Sequence, residues 1–221
     1  MTTTEWLKTG RPMNRILHGD CMELMKHIGD NEFELAIVDP PYGIGKNWNK
    51  DTSSKFYNHK TTYYNQLMNK KYFDELLRIS QNQIIWGANY YWNYLKPTSN
   101  IIWWDKCIDP AKHLRSAGEL AWTSITRWPA NKFKFSWNGC AVSEPRSGIH
   151  PHEKPIALYR WLLQNYAKPG DKIIDTHSGS GSLAIACHLE GFDFLAIEKD
   201  YDYWKASVER YETEINQGKL F

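Results

Sequence analysis

The last third of the chain alternates strand and helix in a way that leaves few folds open. Ile156–Ala167 spaces its apolar residues as a helix and is stopped by Lys168-Pro169-Gly170-Asp171. Lys172–Asp175 then reads as a short strand and Gly181–Glu190 as a helix, followed by a strand at Phe194–Glu198 and a long helix at Tyr201–Gln217. This alternation argues for an α/β fold, a mainly parallel, doubly wound sheet of Rossmann-like type with helices on both faces. The 221 residues suit one such domain.

The earlier segments are consistent with that plan. After a loose start, Asn14–Leu17 reads as a strand, Met22–Ile28 as a helix and Leu35–Val38 as a buried strand. Tyr63–Ser80 carries helical apolar spacing through Tyr64, Leu67, Met68, Tyr72, Leu76 and Ile79. Gln83–Trp86, Ile101–Trp104 and Leu120–Ser124 read as strands, with a helix over Tyr90–Leu95. Residues 43–62 are polar, basic and aromatic without a period and read as a mobile loop. Between Cys107 and Gly148 periodicity is weak, which suggests irregular or hairpin structure.

No apolar run is long enough to span a membrane, and the N-terminus lacks a basic segment leading into an apolar one. The cytoplasm of a bacterium or a phage-infected cell is therefore the expected compartment. Cys21, Cys107, Cys140 and Cys187 are far apart, without zinc or disulfide-scaffold spacing, and are expected to be free, mostly buried thiols. A net charge of +2 says little, but its distribution says more. Lys46, Lys50, Lys55, Lys60, Lys70 and Lys71 face one acid, Asp51, among many aromatics, which fits a nucleic-acid groove better than a merely solvated surface.

Two segments carry chemistry. In Ile173-Ile-Asp-Thr-His-Ser-Gly-Ser-Gly-Ser182 an apolar strand ends in an acid, and a glycine-rich turn opens a helix. Gly179 and Gly181 let the backbone approach a ligand, and the helix N-terminus offers free N–H groups. The next strand ends in Ile197-Glu198-Lys199-Asp200, where an acid suits the two hydroxyls of a ribose. No Gly-Lys-Ser/Thr follows, so this is not a phosphate-cradling loop; an ordinary tight strand–helix turn is the alternative.

The second segment is Ala36-Ile-Val-Asp-Pro-Pro-Tyr-Gly-Ile-Gly45. Two prolines cannot continue a central strand because each lacks a ladder donor, so Asp39 stands on a rigid turn at the crevice of the sheet. The exocyclic amine of adenine is a poor nucleophile, its lone pair being delocalised into the ring. Asp39 can accept one amine hydrogen and the Pro40 carbonyl the other, turning the lone pair toward an incoming methyl group. Tyr42 can stack on a base extruded from a duplex. A plain proline turn explains Pro40 and Pro41 but not the acid and the aromatic beside them.

Asp39-Pro-Pro-Tyr42 resembles the catalytic motif of the DNA amino-methyltransferases, and Asp175–Ser182 resembles their cofactor motif. With the catalytic motif first, the order is that of the β-class, the circularly permuted group. Ile16-Leu-His-Gly-Asp-Cys21 resembles its N-terminal cofactor segment, and His150-Pro-His-Glu-Lys-Pro155 its His-Pro-x-x-Lys-Pro motif. Ile85-Trp-Gly-Ala-Asn-Tyr-Tyr91 and Leu120-Ala-Trp-Thr-Ser124 are similar to stretches of small phage-type adenine methylases.

The resemblance implies a permuted methyltransferase fold with a seven-stranded sheet, S-adenosylmethionine as cofactor, double-stranded DNA as substrate and no metal. By analogy with the class it also implies a homodimer. Catalysis is expected from Asp39, Pro40, Pro41 and Tyr42. The cofactor is expected against Asp20, which would accept from its adenine amine, Cys21, Asp39, and Lys154 near the methionine carboxylate. Asp175, His177, Ser178, Gly179, Ser180, Gly181, Ser182, Glu198 and Lys199 complete that set. DNA and the target base are expected against Tyr42, Lys46, Trp48, Lys55, Tyr57, Asn89 and Tyr90. The chain is expected to be one domain, 1–221, with 43–62 as a DNA loop and about 107–149 as a small target-recognition insertion. One departure stands out: the family motif reads Asp-Pro-Phe where this chain has Asp175-Thr176-His177, so a histidine ring takes the aromatic position.

His150 and His152 are expected in an exposed loop without a catalytic role, and Trp86, Trp103 and Trp104 in the core. The leading reading is N6 methylation of adenine in DNA. N4 methylation of cytosine uses the same chemistry, but cytosine enzymes more often carry Ser in place of Asp39. RNA adenine methylases of the permuted order carry Trp where Tyr42 stands and lack a good glycine turn. A catalytically idle nucleic-acid-binding partner, the alternative from another class, would have lost the acid or the glycines.

Overall fold

The computed structural model describes residues 1–43, 67–109, 116–126, 130–138, 141–142, 144 and 146–217. Lys46, Trp48, Lys55 and Tyr57, with nearly all of the expected mobile loop, lie outside the described residues.

Eight strands form one sheet: β1 (Arg15–His18), β2 (Phe33–Val38), β3 (Ser80–Trp86), β4 (Ile101–Asp105), β5 (Gly118–Thr123), β6 (Ala130–Lys134), β9 (Lys172–Asp175) and β10 (Asp193–Glu198). A separate two-stranded ribbon pairs β7 (Trp137–Asn138) with β8 (Ala141–Val142). The order across the sheet is β1-β10-β9-β2-β3-β5-β4-β6. Pairing is parallel from β1 through β3, β5 runs antiparallel between β3 and β4, and β6 is parallel to β4. The doubly wound α/β architecture expected from the alternation is therefore present, with one correction. Ala130–Lys134, in a stretch with weak periodicity, adds an eighth strand because the exposed edge of β4 offers it a ladder.

Helices α1 (Thr3–Lys8), α2 (Cys21–Met25) and α3 (Lys70–Ile79) cover one face, packing Trp6, Leu24, Phe73 and Leu76 onto Ala36, Val38 and Ile85. Helices α4 (Ile156–Tyr166), α5 (Ser182–Glu190) and α6 (Tyr201–Gln217) cover the other, where Leu158, Leu162 and Ala184 meet Leu35, Ile37 and Ile173. Being covered twice, β2 is buried along nearly its whole length, which is why its sequence is a continuous apolar run rather than an alternation. Each fully buried Leu or Phe contributes roughly 1.5–3 kcal/mol of burial energy.

Three local expectations are corrected. The start is not loose: Thr2 and Glu5 form a reciprocal capping box, and Trp6 anchors α1 in the core. The helix expected at Tyr63 begins at Lys70, because the Asn69 side chain accepts from Tyr72 N–H and starts it there. Between β3 and β4 only a 3-10 turn forms, Ala88–Tyr90. That segment buries Tyr91 and Leu95 while exposing Tyr90, Trp92 and Tyr94, so it has no single helical face, and Pro97 follows. No helix among the described residues is long and apolar enough to cross a membrane. Cys21 and Cys187 are buried free thiols, whereas Cys107 is exposed.

The topology places the crevice. From β9 the chain passes through α5 to β10 on one side, and from β2 through α3 to β3 on the other, with the two helices on opposite faces. β2 and β9 are adjacent, paired at Leu35–Ile173 and Ala36–Ile174. Their C-terminal ends therefore meet where the winding reverses, the usual place for a ligand in such sheets. Asp39 follows one end and Asp175 closes the other.

Candidate active site

A cavity partly open to solvent lies at that switch point. Its lining joins two sequence-distant pieces, Asp39–Tyr42 after β2 and Thr176–Ser180 after β9, with His150–Lys154 and Glu198–Lys199 at its sides. Gly19, Cys21, Tyr159 and Ser182 complete it.

The glycine turn is held through its main-chain N–H groups. Gly179 N–H donates to Glu198 Oε2 at 2.9 Å, and Asp200 N–H donates to Glu198 Oε1 at 2.9 Å. Ser178 N–H reaches the Ile197 carbonyl at 3.0 Å, which straps the turn to β10. Glu198 is 7% exposed, and burial pushes its carboxyl above the ordinary glutamate value despite these donors. Gly179 has φ +51, and a Cβ there would meet the His150 ring at 3.3 Å. His150 in turn packs edge-on against Tyr203, 4.8 Å between ring centres. His150 and His152 are thus part of the cavity wall and not exposed loop residues, and burial lowers the pKa of both.

His177 takes the aromatic position of the turn. Its ring stands edge-on to Tyr72 at 5.4 Å, and Nδ1 lies 2.9 Å from Thr176 Oγ1, which also bonds Tyr72 O–H at 2.6 Å. Burial pushes His177 down to about 4, so at neutral pH the ring is uncharged. Cys21 Sγ lies 4.0 Å from His177 Nε2, and burial pushes its thiol up to about 12. The Ser178 hydroxyl, buried on the cavity wall, has no hydrogen-bond partner among the described residues. An unpaired hydroxyl, a neutral ring and a helix N-terminus fit a nucleoside-bearing ligand such as S-adenosylmethionine.

The structure does not bring every expected cofactor residue to the cavity. Asp175 sits beneath the turn, where its Oδ1 accepts from His177 N–H at 3.0 Å and burial pushes it up to about 7. Asp20 is also off the lining. It caps α2 through Met22 N–H at 2.8 Å and pairs with Lys199 at 2.7 Å. Burial would raise its pKa, but Lys199 and the cap hold it below the ordinary aspartate value. Both Asp20 oxygens already have donors, so its service to an adenine amine requires a second hydrogen bond on one of them.

The catalytic loop is built from side chains. Tyr42 O–H donates to Asp39 Oδ1, Lys154 donates to Asp39 Oδ2, and Tyr91 O–H donates to the Pro41 carbonyl. Tyr42 stacks on Tyr90 with ring centres 5.1 Å apart and planes 12° from parallel. Gly87 makes room for this: it ends β3 at φ +68, and any Cβ there would fall inside the Tyr42 ring's envelope. Lys154, expected near the methionine carboxylate, is directed at the carboxylate of Asp39 on the cavity wall. Asn89 is exposed beyond the cavity lining.

Several residues of the site have no signal in a motif. Glu119, on β5, lies 3.1 Å from Lys154 Nζ and also pairs with Lys106. Its one sequence mark is an acid within a strand whose other residues, Leu120-Ala-Trp122, are apolar. Arg210, on α6, reaches the Ser180 carbonyl at 3.1 Å and Glu153 at 3.2 Å, tying the glycine turn to the His-Pro loop. Its helical phase predicts an inward position but not its partners.

The family described as DNA methylase, covering N6 and N4 enzymes, matches residues 78–209, well over half of the chain. The match begins beyond Asp39–Tyr42, so the role of that loop rests on its own geometry. The type II methyltransferase M2.MboI of Moraxella bovis is 25% identical, over 89% of this chain and 86% of its own length. M.HpaI of Haemophilus parainfluenzae is 22% identical, over 91% and 75%. Among solved structures, the M1.HpyAVI–SAM complex superposes with a TM-score of 0.58 at 18% identity, over 89% of this chain and 98% of its own. The PvuII DNA methyltransferase, cytosine-N4-specific, gives 0.58 at 13% identity, over 91% of both. Those two structures share the fold. The chain belongs to the N6/N4 family of DNA methylases, which take their methyl group from S-adenosylmethionine.

Proposed function

We propose that this chain methylates the N6 amine of adenine in double-stranded DNA, by direct in-line transfer to a base turned out of the duplex. The observation that carries the reading is the acid at position 39, on a Pro-Pro-Tyr turn at the rim of the cavity walled by the glycine turn.

When bound, S-adenosylmethionine supplies a methyl group on a positively charged sulfur. Asp39 accepts one N–H of the target amine. The Pro40 carbonyl accepts the other, the Pro41 carbonyl being taken by Tyr91. Together these acceptors draw the lone pair out of conjugation, and a proline turn holds them in place without reorganisation. After transfer the amine sheds its extra proton to water, so no base of unusual pKa is needed. The Tyr42 ring, braced by Tyr90, offers a face for the extruded base. Lys46, Trp48, Lys55 and Tyr57, together with Asn89, are proposed to meet the DNA.

N4 methylation of cytosine is the second reading, because the cytosine-N4-specific PvuII enzyme shares the fold. Against it stands an acid, not a serine, at position 39. Incubation with labelled cofactor and unmethylated duplex DNA, followed by digestion to nucleosides, separates the two. N6-methyldeoxyadenosine is expected; N4-methyldeoxycytidine reassigns the base, and the absence of any labelled nucleoside overturns the proposal. Asp39→Ala is expected to slow transfer by about 10³-fold or more while calorimetry finds cofactor affinity largely retained. Retained turnover removes Asp39 from the mechanism.

A further inference from the structure

Lys154 is shared between two carboxylates. Its side chain is 3% exposed; its ammonium donates to Asp39 Oδ2 on one side and forms an ion pair with Glu119 Oε2 at 3.1 Å, without hydrogen-bond geometry, on the other. The second oxygen of Glu119 pairs with Lys106, which follows β4 and lies over the Trp104 ring at 4.7 Å. Lys154 itself lies 5.5 Å from the centre of the Trp86 ring. Charges therefore alternate along a row, Asp39, Lys154, Glu119, Lys106, with a formal sum of zero.

We infer that Glu119 is a positioning residue for methyl transfer, keeping Lys154 charged and aligned on Asp39 while drawing off enough of its ammonium to leave Asp39 an acceptor for the target amine. The inference rests on the reading of Asp39 given above. An ammonium taken out of water stays charged only where carboxylates compensate it. Tied to Asp39 alone, it would weaken as an acceptor a carboxylate whose other oxygen already takes the Tyr42 hydroxyl. With a second acid the positive charge is divided, and Glu119, balanced by Lys106, takes its share without becoming an unpaired buried charge.

The groups facing Lys154 are Asp39 and Tyr42 after β2, Glu119 on β5 and Lys106 after β4, with His150 and His152 in its own loop and Asp175 at the end of β9. Burial lowers the pKa of Lys154, but Asp39 and Glu119 more than offset this and hold it above the ordinary lysine value. Burial likewise raises that of Glu119, yet Lys154 and Lys106 hold it down at about 2. Glu119 thus remains charged throughout the working range, and Lys154 keeps its proton into alkaline solution.

The test is Glu119→Gln in the full chain, assayed with S-adenosylmethionine and unmethylated duplex DNA. We expect kcat to fall about 10- to 100-fold, the loss typical of a misplaced reacting group, with little change in cofactor KM. We also expect kcat to acquire an alkaline limb, as Lys154 gives up its proton at lower pH, and Glu119→Asp to restore part of the rate. In cofactor-free protein, NMR titration of Lys154 Nζ is expected to move downward. A glutamine variant with unchanged kcat, pH profile and Lys154 titration overturns the inference. Should that variant fail to fold, Lys106→Met decides. It leaves Glu119 to pull Lys154 off Asp39, so kcat is expected to fall several-fold without a new alkaline limb, and an unchanged kcat overturns the inference. Asp39→Ala distinguishes the two levels: if it still methylates, the reading of Asp39 has failed; if it is silent while Glu119→Gln behaves as the parent, only the role of Glu119 has.

Discussion

The two walls of the cavity are held by different means. The turn after β9 is held through its own main-chain groups, with Gly179 N–H on the Glu198 carboxylate, Ser178 N–H on the Ile197 carbonyl, Gly181 N–H on the Ser178 carbonyl and the Ser180 carbonyl accepting from Arg210. The loop after β2 is held by side chains, Tyr91 on the Pro41 carbonyl and Tyr42 and Lys154 on Asp39, the last from 115 positions away. A turn braced mostly by β9, α5 and β10, with one contact from α6, draws on elements that follow one another in the chain. A loop braced by distant side chains depends on every element that carries them. The first arrangement makes a cofactor wall from one stretch of chain, and the second makes a catalytic loop from several.

Paired glycine substitutions test that division most severely. Gly87→Ala strains a φ of +68 and pushes into the Tyr42 ring, so methyl transfer is expected to fall by about 100-fold or more with cofactor affinity retained. Gly179→Ala strains a φ of +51 and crowds His150, so calorimetry is expected to find cofactor affinity reduced about tenfold or more, a loss of roughly 1.4 kcal/mol. If both variants damage binding and transfer equally, the two walls are not separable.

A second test lies within the wall formed by the glycine turn, where Asp175 and His177 carry opposite pH dependences. Burial raises Asp175 to about 7, so its contribution to stability is full below its unfolded value near 3.9 and is lost as pH rises toward 7. Burial lowers His177 to about 4, so its contribution is full above roughly 6.5 and is lost as pH falls toward 4. The two slopes oppose each other in one window. Asp175→Asn is expected to leave the histidine slope, with stability falling on acidification. His177→Phe is expected to leave the aspartate slope, with stability falling as pH rises. Each amounts to at most about 4 kcal/mol across the window. Thermal melts from pH 4 to 7 read the signs directly, and a slope of the wrong sign in either variant removes that residue from the account.

The smallest effect is expected at the margin. Lys199 pairs with Asp20, but the side chains are 43% and 35% exposed, so solvent screens the pair. Lys199→Ala is expected to cost no more than about 1 kcal/mol in urea melts, because Asp20 still caps α2. A larger loss would show that this edge of the cavity is braced by charge after all, as the catalytic loop is.

The same contrast explains what could be read before folding. The strand, the acid, the glycines and the helix of the cofactor turn lie within ten residues, and their chemistry is local: φ values that glycine tolerates, free N–H groups at a helix start, an apolar run that must be covered. Asp39-Pro-Pro-Tyr42 was legible for the same reason, since two prolines end a strand wherever they stand. Glu119 was not, because an acid on a strand takes its meaning from the residues that a neighbouring strand and a distant loop bring to it. The eighth strand has no mark in the sequence because an exposed edge recruits a segment of weak period, and the helix expected over Tyr90–Leu95 gives way to a turn because burial of Tyr91 and Leu95 outweighs helical preference.

By itself, then, the sequence determined a doubly wound α/β domain, the glycine turn and the acid on its proline loop, because each follows from spacing and backbone sterics within a few residues. The tertiary structure alone decided that Lys154 faces Asp39, that Glu119 and Lys106 complete the row, and that Asp20 and Asp175 serve the framework from outside the cavity lining. Electrostatic partnership depends on distance in space, and residues 39, 106, 119 and 154 are brought within reach of one another only by the closing of the sheet.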